Sequence, residues 1–378
     1  MQQENNQIWI KTGSTLLDLV VGGGRGLGYP AGKSINVVGD KSAGKTFHNC
    51  EVIAAAYHQY GEKLVWCYDD CESGFTFNTQ ELYGFEIMAQ DIKDRFHSNT
   101  VQELYGNIRS FIDSLKKDQF GIYVVDSLDG LSSEELDEIA EKQYKDFKSG
   151  KHTKKGSYRM ESAKFMSQEF FRTLTDIIQS KQVLVIFTSQ IRHNIETFSF
   201  QKFTRSGGKA LDFYCYSCLW LAHVQDITKR GKVVGSVVKA KTTRLKAPRP
   251  YRSCFFSLIF DYGLDNIASN IDYLYDLRTD TGKLTTTKAK LTWRDEEPMS
   301  RSELIRYIED NELEDSLERR VIKKWEAEEE AVRSDRKRKY SKNKVASDKS
   351  GNTKTTTNGS AKATSSKTRT STQSKKTD

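Results

Sequence analysis

The sequence predicts an α/β fold: a mainly parallel central sheet with helices on both faces, a small C-terminal α+β domain, and a disordered basic tail. Three observations carry this expectation. Between Lys11 and Ile267, short β-rich runs alternate with stretches whose apolar residues recur at helical spacing, as in strands joined by crossover helices. After Ser269 the pattern changes to a smaller unit of one hairpin and short helices. From Arg336 onward, 13 Lys/Arg face 2 acids and almost nothing is apolar, too little buried surface for independent folding. The expected divisions are 1–268, 269–335 and 336–378.

Each element has its own signal. "SINVVGD" (34–40) reads as a strand, and "TFHNCEVIAAAYHQYG" (46–61) as a helix closed by Gly61. "KLVWCYDD" (63–70) is the next strand. Apolar positions 101, 104, 108, 111 and 112 give a helix, followed by the strand "FGIYVVD" (120–126). Positions 165, 166, 170, 174, 177 and 178 give another helix, leading into the strand "QVLVIFT". From 211 to 262 several β runs follow without long helices between them, so the sheet is expected to continue with antiparallel strands. Beyond it, "KLTTTKAKLTW" (283–293) is hairpin-like, Ser300 and Glu303 have capping-box spacing, and Leu317, Val321, Ile322 and Trp325 form a helical stripe. No internal repeat is present.

Charge and cysteine narrow the class. The whole chain is +8, but the tail alone is +11, so the remainder is −3 and local placement of charge must argue for any polyanion. Six cysteines in 378 residues are too few for a disulfide framework. Cys67/Cys71 and Cys215/Cys218 have spacing for a four-thiolate zinc site, yet both pairs lie in strand-like surroundings and read as core thiols. No apolar run approaches a membrane span, and Met1 to Asn6 is polar rather than a signal peptide. A soluble, cytoplasmic protein is expected.

"GDKSAGKT" (39–46) satisfies G-x-x-x-x-G-K-[ST] between an apolar strand and a helix start. The backbone of Gly39, Asp40, Lys41, Ser42, Ala43 and Gly44, with the helix N-terminus, is suited to cradle phosphates. Lys45 would neutralise the outer phosphate oxygens and the Thr46 hydroxyl would ligate Mg²⁺. Hydrolysis further needs an acid at the metal and a carboxylate that activates water. Asp126, closing the strand in "GIYVVDSLDG", fits the first role; Asp69, Asp70 and Glu72 in "VWCYDDCESG" are three candidates for the second, and spacing does not choose among them.

A fourth strand end is unusual. "LVIFTSQIRHNI" (184–195) ends a buried run with Gln190 and Arg192, and in such folds strand ends line the nucleotide crevice. Gln190 is therefore the expected γ-phosphate sensor, and the segment Arg192–Lys209 the element it switches. That segment holds four basic residues, one Glu and three Phe, a pairing that suits single-stranded nucleic acid. A second loop, 142–164, carries eight Lys/Arg against two acids. The expected DNA contacts are Lys151, Lys154, Lys155 and Arg159 in one loop, and Arg192, Lys202, Phe203, Arg205, Gly207 and Gly208 in the other.

Taken together, these motifs resemble the RecA recombinase family, including its phage members, from about Lys11 to Ile267. "TGSTLLDLVVGGGRGLGYPAGKSINVVGDKSAGKT" (12–46) resembles the family's entry segment and phosphate loop, and "YDDCESG" (68–74) its catalytic-glutamate segment, which selects Glu72. "FTSQIRHNI" with "SGGKALDFY" is similar to the sensor glutamine and second DNA loop, and "GSYRMESAKFMSQ" to the end of the first. The resemblance implies a RecA-like P-loop ATPase using ATP and Mg²⁺, a homo-oligomeric filament on single-stranded DNA, and pairing with homologous duplex, served by single-strand-binding or loader proteins. It also implies that Arg244 in "KAKTTRLKAP" reaches a neighbour's γ-phosphate and that Phe260 in "IFDYGLD" lies near adenine. Two positions depart from the family pattern: about ten residues precede the core, and Thr242 stands where a second basic residue is usual. Rival readings are a hexameric helicase-type motor and a non-catalytic, ATP-gated single-strand-binding loader.

Overall fold

Period-two alternation gives the central sheet two apolar faces. The strands, in chain order, are β1 (Trp9–Ile10), β2 (Tyr29–Pro30), β3 (Ser34–Gly39), β4 (Leu64–Asp69), β5 (Phe120–Val125), β6 (Val183–His193), β7 (Phe203–Arg205), β8 (Ser217–Lys229), β9 (Lys232–Leu245), β10 (Ser253–Ile259) and β11 (Gly263–Asp265). On β5, Ile122 and Val124 face one core cluster while Tyr123 and Val125 face the other; on β6, Leu184 and Ile186 oppose Val183, Val185 and Phe187. Both strands are buried on both faces, as parallel strands under helices must be. This computed structural model describes residues 7–88, 96–149, 170–193, 203–205, 208–285 and 290–336.

The sheet runs β11-β10-β9-β8-β3-β6-β5-β4, parallel from β8 to β4 and antiparallel from β8 outward to β11, with β7 paired to β6. The expected mainly parallel α/β sheet with an antiparallel continuation is thus observed. Helices α1 (Thr15–Gly22), α2 (Lys45–Tyr60), α3 (Thr79–Tyr83), α4 (Val101–Ser114), α5 (Glu134–Lys148), α6 (Phe171–Ser180) and α7 (Gly208–Tyr214) belong to the same stretch of chain. Gly44 opens α2 at φ 84° and Gly61 closes it at φ 56°, a left-handed region where glycine is unstrained. Pairings Asp69↔Val125, Val125↔Phe187 and Gly39↔Gln190 bring the carboxyl ends of β4, β5, β6 and β3 to one edge.

Beyond the sheet lie α8 (Asn266–Leu274), α9 (Arg301–Asp310) and α10 (Glu314–Ala331). The capping box of Ser300 and Glu303 forms, and Leu317, Val321 and Trp325 are buried. These residues, with Trp293, Leu304 and Ile308, join the cluster that contains α1 and β10 side chains. Residues up to Glu330 pack as one compact unit. Lys11–Glu318 (2.9 Å) and Arg249–Glu326 (2.8 Å) tie the segment to earlier parts of the same unit.

Two local expectations change. Leu284 bridges Arg278, and Leu291 bridges Met299, so 283–293 does not pair with itself among the described residues. The basic loop expected from 142 begins as helix, because α5 continues to Lys148; Lys151, Lys154, Lys155 and Arg159 lie outside the described residues. All six cysteines are buried free thiols. Among the described residues no helix is long and apolar enough to cross a membrane.

Candidate active site

The loop after β3 and the start of α2 form the floor of the site. Lys45 Nζ donates to the carbonyls of Gly39 (3.0 Å) and Asp40 (2.8 Å), so the ammonium curls over the loop. Burial lowers its pKa, while Asp126 and Glu72 oppose that shift. A Cβ at Gly44 would stand 2.5 Å from Leu258 Cδ1, so α2 starts against the antiparallel strands with no room for a side chain. Ser42 at φ 62° and Gly44 at φ 84° alternate the loop's backbone direction, the geometry of an N–H nest for anions.

Four strand ends converge here. Asp126, just past β5, accepts from Thr46 Oγ1 (2.9 Å) and from Tyr68 OH (2.6 Å) through Oδ2. Burial raises its pKa, and those two hydrogen bonds counter the rise. Adjacent hydroxyl and carboxylate oxygens are the hard donors that Mg²⁺ takes beside phosphate, so Thr46 and Asp126 fit the metal. The three carboxylates after β4 have different occupations. Asp69 is fully buried, accepting from Ser98 N (2.8 Å), Ser98 Oγ (2.5 Å) and Tyr123 OH (2.7 Å). Asp70 holds the turn through Gly74 N (3.2 Å) and Phe75 N (3.0 Å). Glu72 is exposed at the site, where its Oε1 accepts from Ser127 Oγ and from Gln190 Nε2 (2.9 Å). The Gln190 backbone N–H donates to Asp129 Oδ2 (2.7 Å).

A cleft of about 360 Å³ opens beside the phosphate loop, lined by Ser42 to Phe47, Phe77, His223, Asp226, Ser236, Leu258 and Phe260. Phe260 is half exposed there, and Phe47 packs edge-on against Phe77 with ring centroids 4.7 Å apart. An apolar, aromatic slot next to a phosphate cradle suits a nucleotide base.

Where it is described, the expected nucleic-acid segment is strand and helix. Strand β6 runs past Gln190 to His193 and pairs with β7, Ile191 opposite Arg205 and His193 opposite Phe203. Lys202 and Gly207 lie outside the described residues, and Gly208 begins α7. Arg205, read from sequence as a DNA contact, turns inward instead. Its side chain is 7% exposed and donates to Asn36 Oδ1 (2.6 Å) and to the Asp212 carboxylate. Asn36 in turn donates to Phe187 O (2.8 Å) and Ser189 Oγ (2.9 Å). Arg244 pairs with Cys218, level with Asn36 rather than with Gly39, so it stands about 10 Å along the sheet from its own phosphate loop.

Sequence reasoning did not assign Ser127, Asp129, Tyr68, Phe47 or Phe77. Ser127 and Asp129 sit shortly after β5 and Asp126, which was the available signal; Phe77 had none.

A family model of the RecA N-terminal domain matches residues 1–265. RecA of Thermotoga maritima is 26% identical over 323 residues, covering 84% of this chain and 82% of its own. RecA of Sulfurovum sp. is 28% identical over 265 residues, covering 70% and 69%. RecA of Mesoplasma florum is 25% identical over 276 residues, covering 72% and 75%. The crystal structure of the RadB recombinase overlaps 68% of this chain and 98% of its own at 16% identity and a TM-score of 0.44. With its phosphate loop, strand-end carboxylates and Gln190 all inside the matched 1–265, this chain belongs to the RecA family.

Proposed function

We propose that the protein is an ATP-dependent DNA recombinase that assembles on single-stranded DNA and pairs it with homologous duplex. The observation that carries this reading is the bond from Gln190 to Glu72, which links the strand entering the β6–β7 arm to the carboxylate beside the phosphate loop. Bound Mg²⁺·ATP supplies the reacting phosphoryl group and the metal charge. Lys45 and the loop N–H groups bind phosphate; Thr46 and Asp126 hold the metal. Ser127 and Gln190 both occupy Glu72 Oε1, which leaves Oε2 to accept the proton of an attacking water. Phe77 and Phe260 flank the base.

Any change at the phosphates that draws the Gln190 amide away from Glu72 also pulls on the strand pairing Ile191 to Arg205. The arm then presents basic and aromatic residues to DNA. Arg244, distant from its own loop, acts in this scheme on a neighbouring copy's phosphate, which calls for a homo-oligomer.

The test is ATP hydrolysis with and without single-stranded DNA, strand exchange with homologous duplex, and electron microscopy in a slowly hydrolysed ATP analogue. Helical filaments with DNA-stimulated turnover and exchange are expected. Closed rings would favour a helicase-type motor, and ATP-gated binding without turnover a loader; either outcome rejects the proposal.

A further inference from the structure

Glu51 lies on the phosphate-loop helix, one turn beyond Phe47 and on the same face. While Phe47 packs on Phe77, the Glu51 carboxylate takes hold of two other segments. Its Oε1 accepts from Leu264 N (2.7 Å), just past the turn that carries Phe260, and from Tyr83 OH (3.3 Å), at the end of the helix that follows Phe77. The fit is close: a Cβ at Gly263 would lie 2.3 Å from Glu51 Oε1, and one at Gly13 3.0 Å from Oε2, with both glycines at positive φ. No step of the proposed hydrolysis uses this carboxylate, and it does not line the cleft.

We infer that Glu51 is a positioning residue for the nucleotide base: it fastens the segments bearing Phe77 and Phe260 to the helix whose first turn holds the phosphates. This rests on the nucleotide reading of the site. The carboxylate touches neither base nor phosphate. It sets the spacing of the two aromatic walls relative to the loop, so that base and phosphates fit at once. Losing it relaxes the walls and leaves the phosphate cradle, fixed separately by Lys45 and the Thr46–Asp126 contact, as it was.

The experiment compares Mg²⁺·ADP with inorganic pyrophosphate, which has the same phosphates and no base, by calorimetry or competition on the full chain. Two hydrogen bonds lost from a buried acceptor that joins both segments are enough that Glu51→Ala should weaken ADP about tenfold and leave pyrophosphate unchanged. Glu51→Gln keeps an oxygen acceptor for Leu264 N and should return ADP affinity to within about threefold of the parent. Equal loss for both ligands, or no loss for ADP, overturns the proposal, as does Glu51→Gln matching Glu51→Ala. If Glu51→Ala does not fold, Tyr83→Phe removes one tie only and should selectively weaken ADP by about threefold; an unselective or null result there overturns it equally. Should the parent protein bind pyrophosphate as tightly as ADP, it is the aromatic base cleft that fails.

Discussion

The Gln190 side-chain amide donates to Glu72 Oε1 at 2.9 Å, across 118 residues of sequence. Gln190 ends the buried part of a strand whose next residue pairs with the arm, whereas Glu72 lies on a turn beside the phosphate loop. A contact that is polar and exposed can exchange partners at low cost, unlike the buried bonds of Asp69. That difference makes it suited to switching.

Glu72→Gln preserves shape and the Oε1 acceptor but removes the basic oxygen. ATP hydrolysis should fall by at least about 100-fold, the usual range for a lost general base, while nucleotide binding persists. Asp69→Asn should act on stability instead, because Ser98 and Tyr123 lose their charged acceptor in the core. Steady-state turnover and thermal melting of both variants decide it. Normal turnover by Glu72→Gln with a collapse in Asp69→Asn would reverse the assignment.

Arg205→Ala separates a latch from a DNA contact. The guanidinium spans Asn36, on the strand leading to the phosphate loop, and Asp212, on α7. Its removal should reduce the stimulation of hydrolysis by DNA without changing the salt slope of DNA binding. Lys202→Ala, if Lys202 meets a phosphate, should instead lower that slope by about one. Titrations of DNA against salt distinguish them; a shallower slope for Arg205→Ala would restore it as a DNA contact.

What was legible in the sequence follows from the range of each interaction. The phosphate loop, the alternation on β5 and β6 and the Ser300–Glu303 cap depend on neighbours within a few residues, so the local pattern contains them. Choosing Glu72 by physics alone needed the knowledge that Ser98 and Tyr123 occupy Asp69 and that Gly74 and Phe75 occupy Asp70. The Arg205–Asn36 bond spans 169 positions and lies outside any local pattern. The hairpin-like 283–293 could not show that Leu284 and Leu291 bridge Arg278 and Met299.

Stability should carry a pH signature from Asp18. Its carboxylate accepts from Thr12 N (2.7 Å) and Thr12 Oγ1 (2.8 Å) in the core, and burial pushes its pKa to about 7, against the lowering effects of those bonds and of Lys11. The folded state therefore holds this proton more tightly than the unfolded chain. Stability from that proton is fully present below the ordinary value of 3.8 and is lost as pH rises through about 7. Asp18→Asn keeps an oxygen acceptor and abolishes the titration, so its stability relative to the parent should improve between pH 4 and 7.5 by something on the order of 3 kcal/mol. Urea unfolding of both proteins at several pH values measures this; parallel profiles would rule it out.

The last prediction separates the arm from the tail. Residues 336–378 carry 13 Lys/Arg against 2 acids, and such charges bind DNA by releasing counterions, a contribution that falls steeply with salt. Such charges carry no nucleotide information, whereas Gln190 and the β6–β7 pairing connect the arm to the Glu72 carboxylate. Deleting 336–378 should therefore weaken DNA binding at low salt, flatten its salt dependence, and leave both the ATP requirement and DNA-stimulated hydrolysis in place. Replacing Arg192 and Lys202 with Ala should do the reverse: the nucleotide-dependent part of the affinity disappears, and a weak, salt-sensitive binding that is indifferent to ATP remains. The measurement is DNA affinity across a salt series, with and without a slowly hydrolysed ATP analogue, for each variant. If the tail deletion alone abolishes the nucleotide-dependent part, the tail is the functional DNA element and the arm is not.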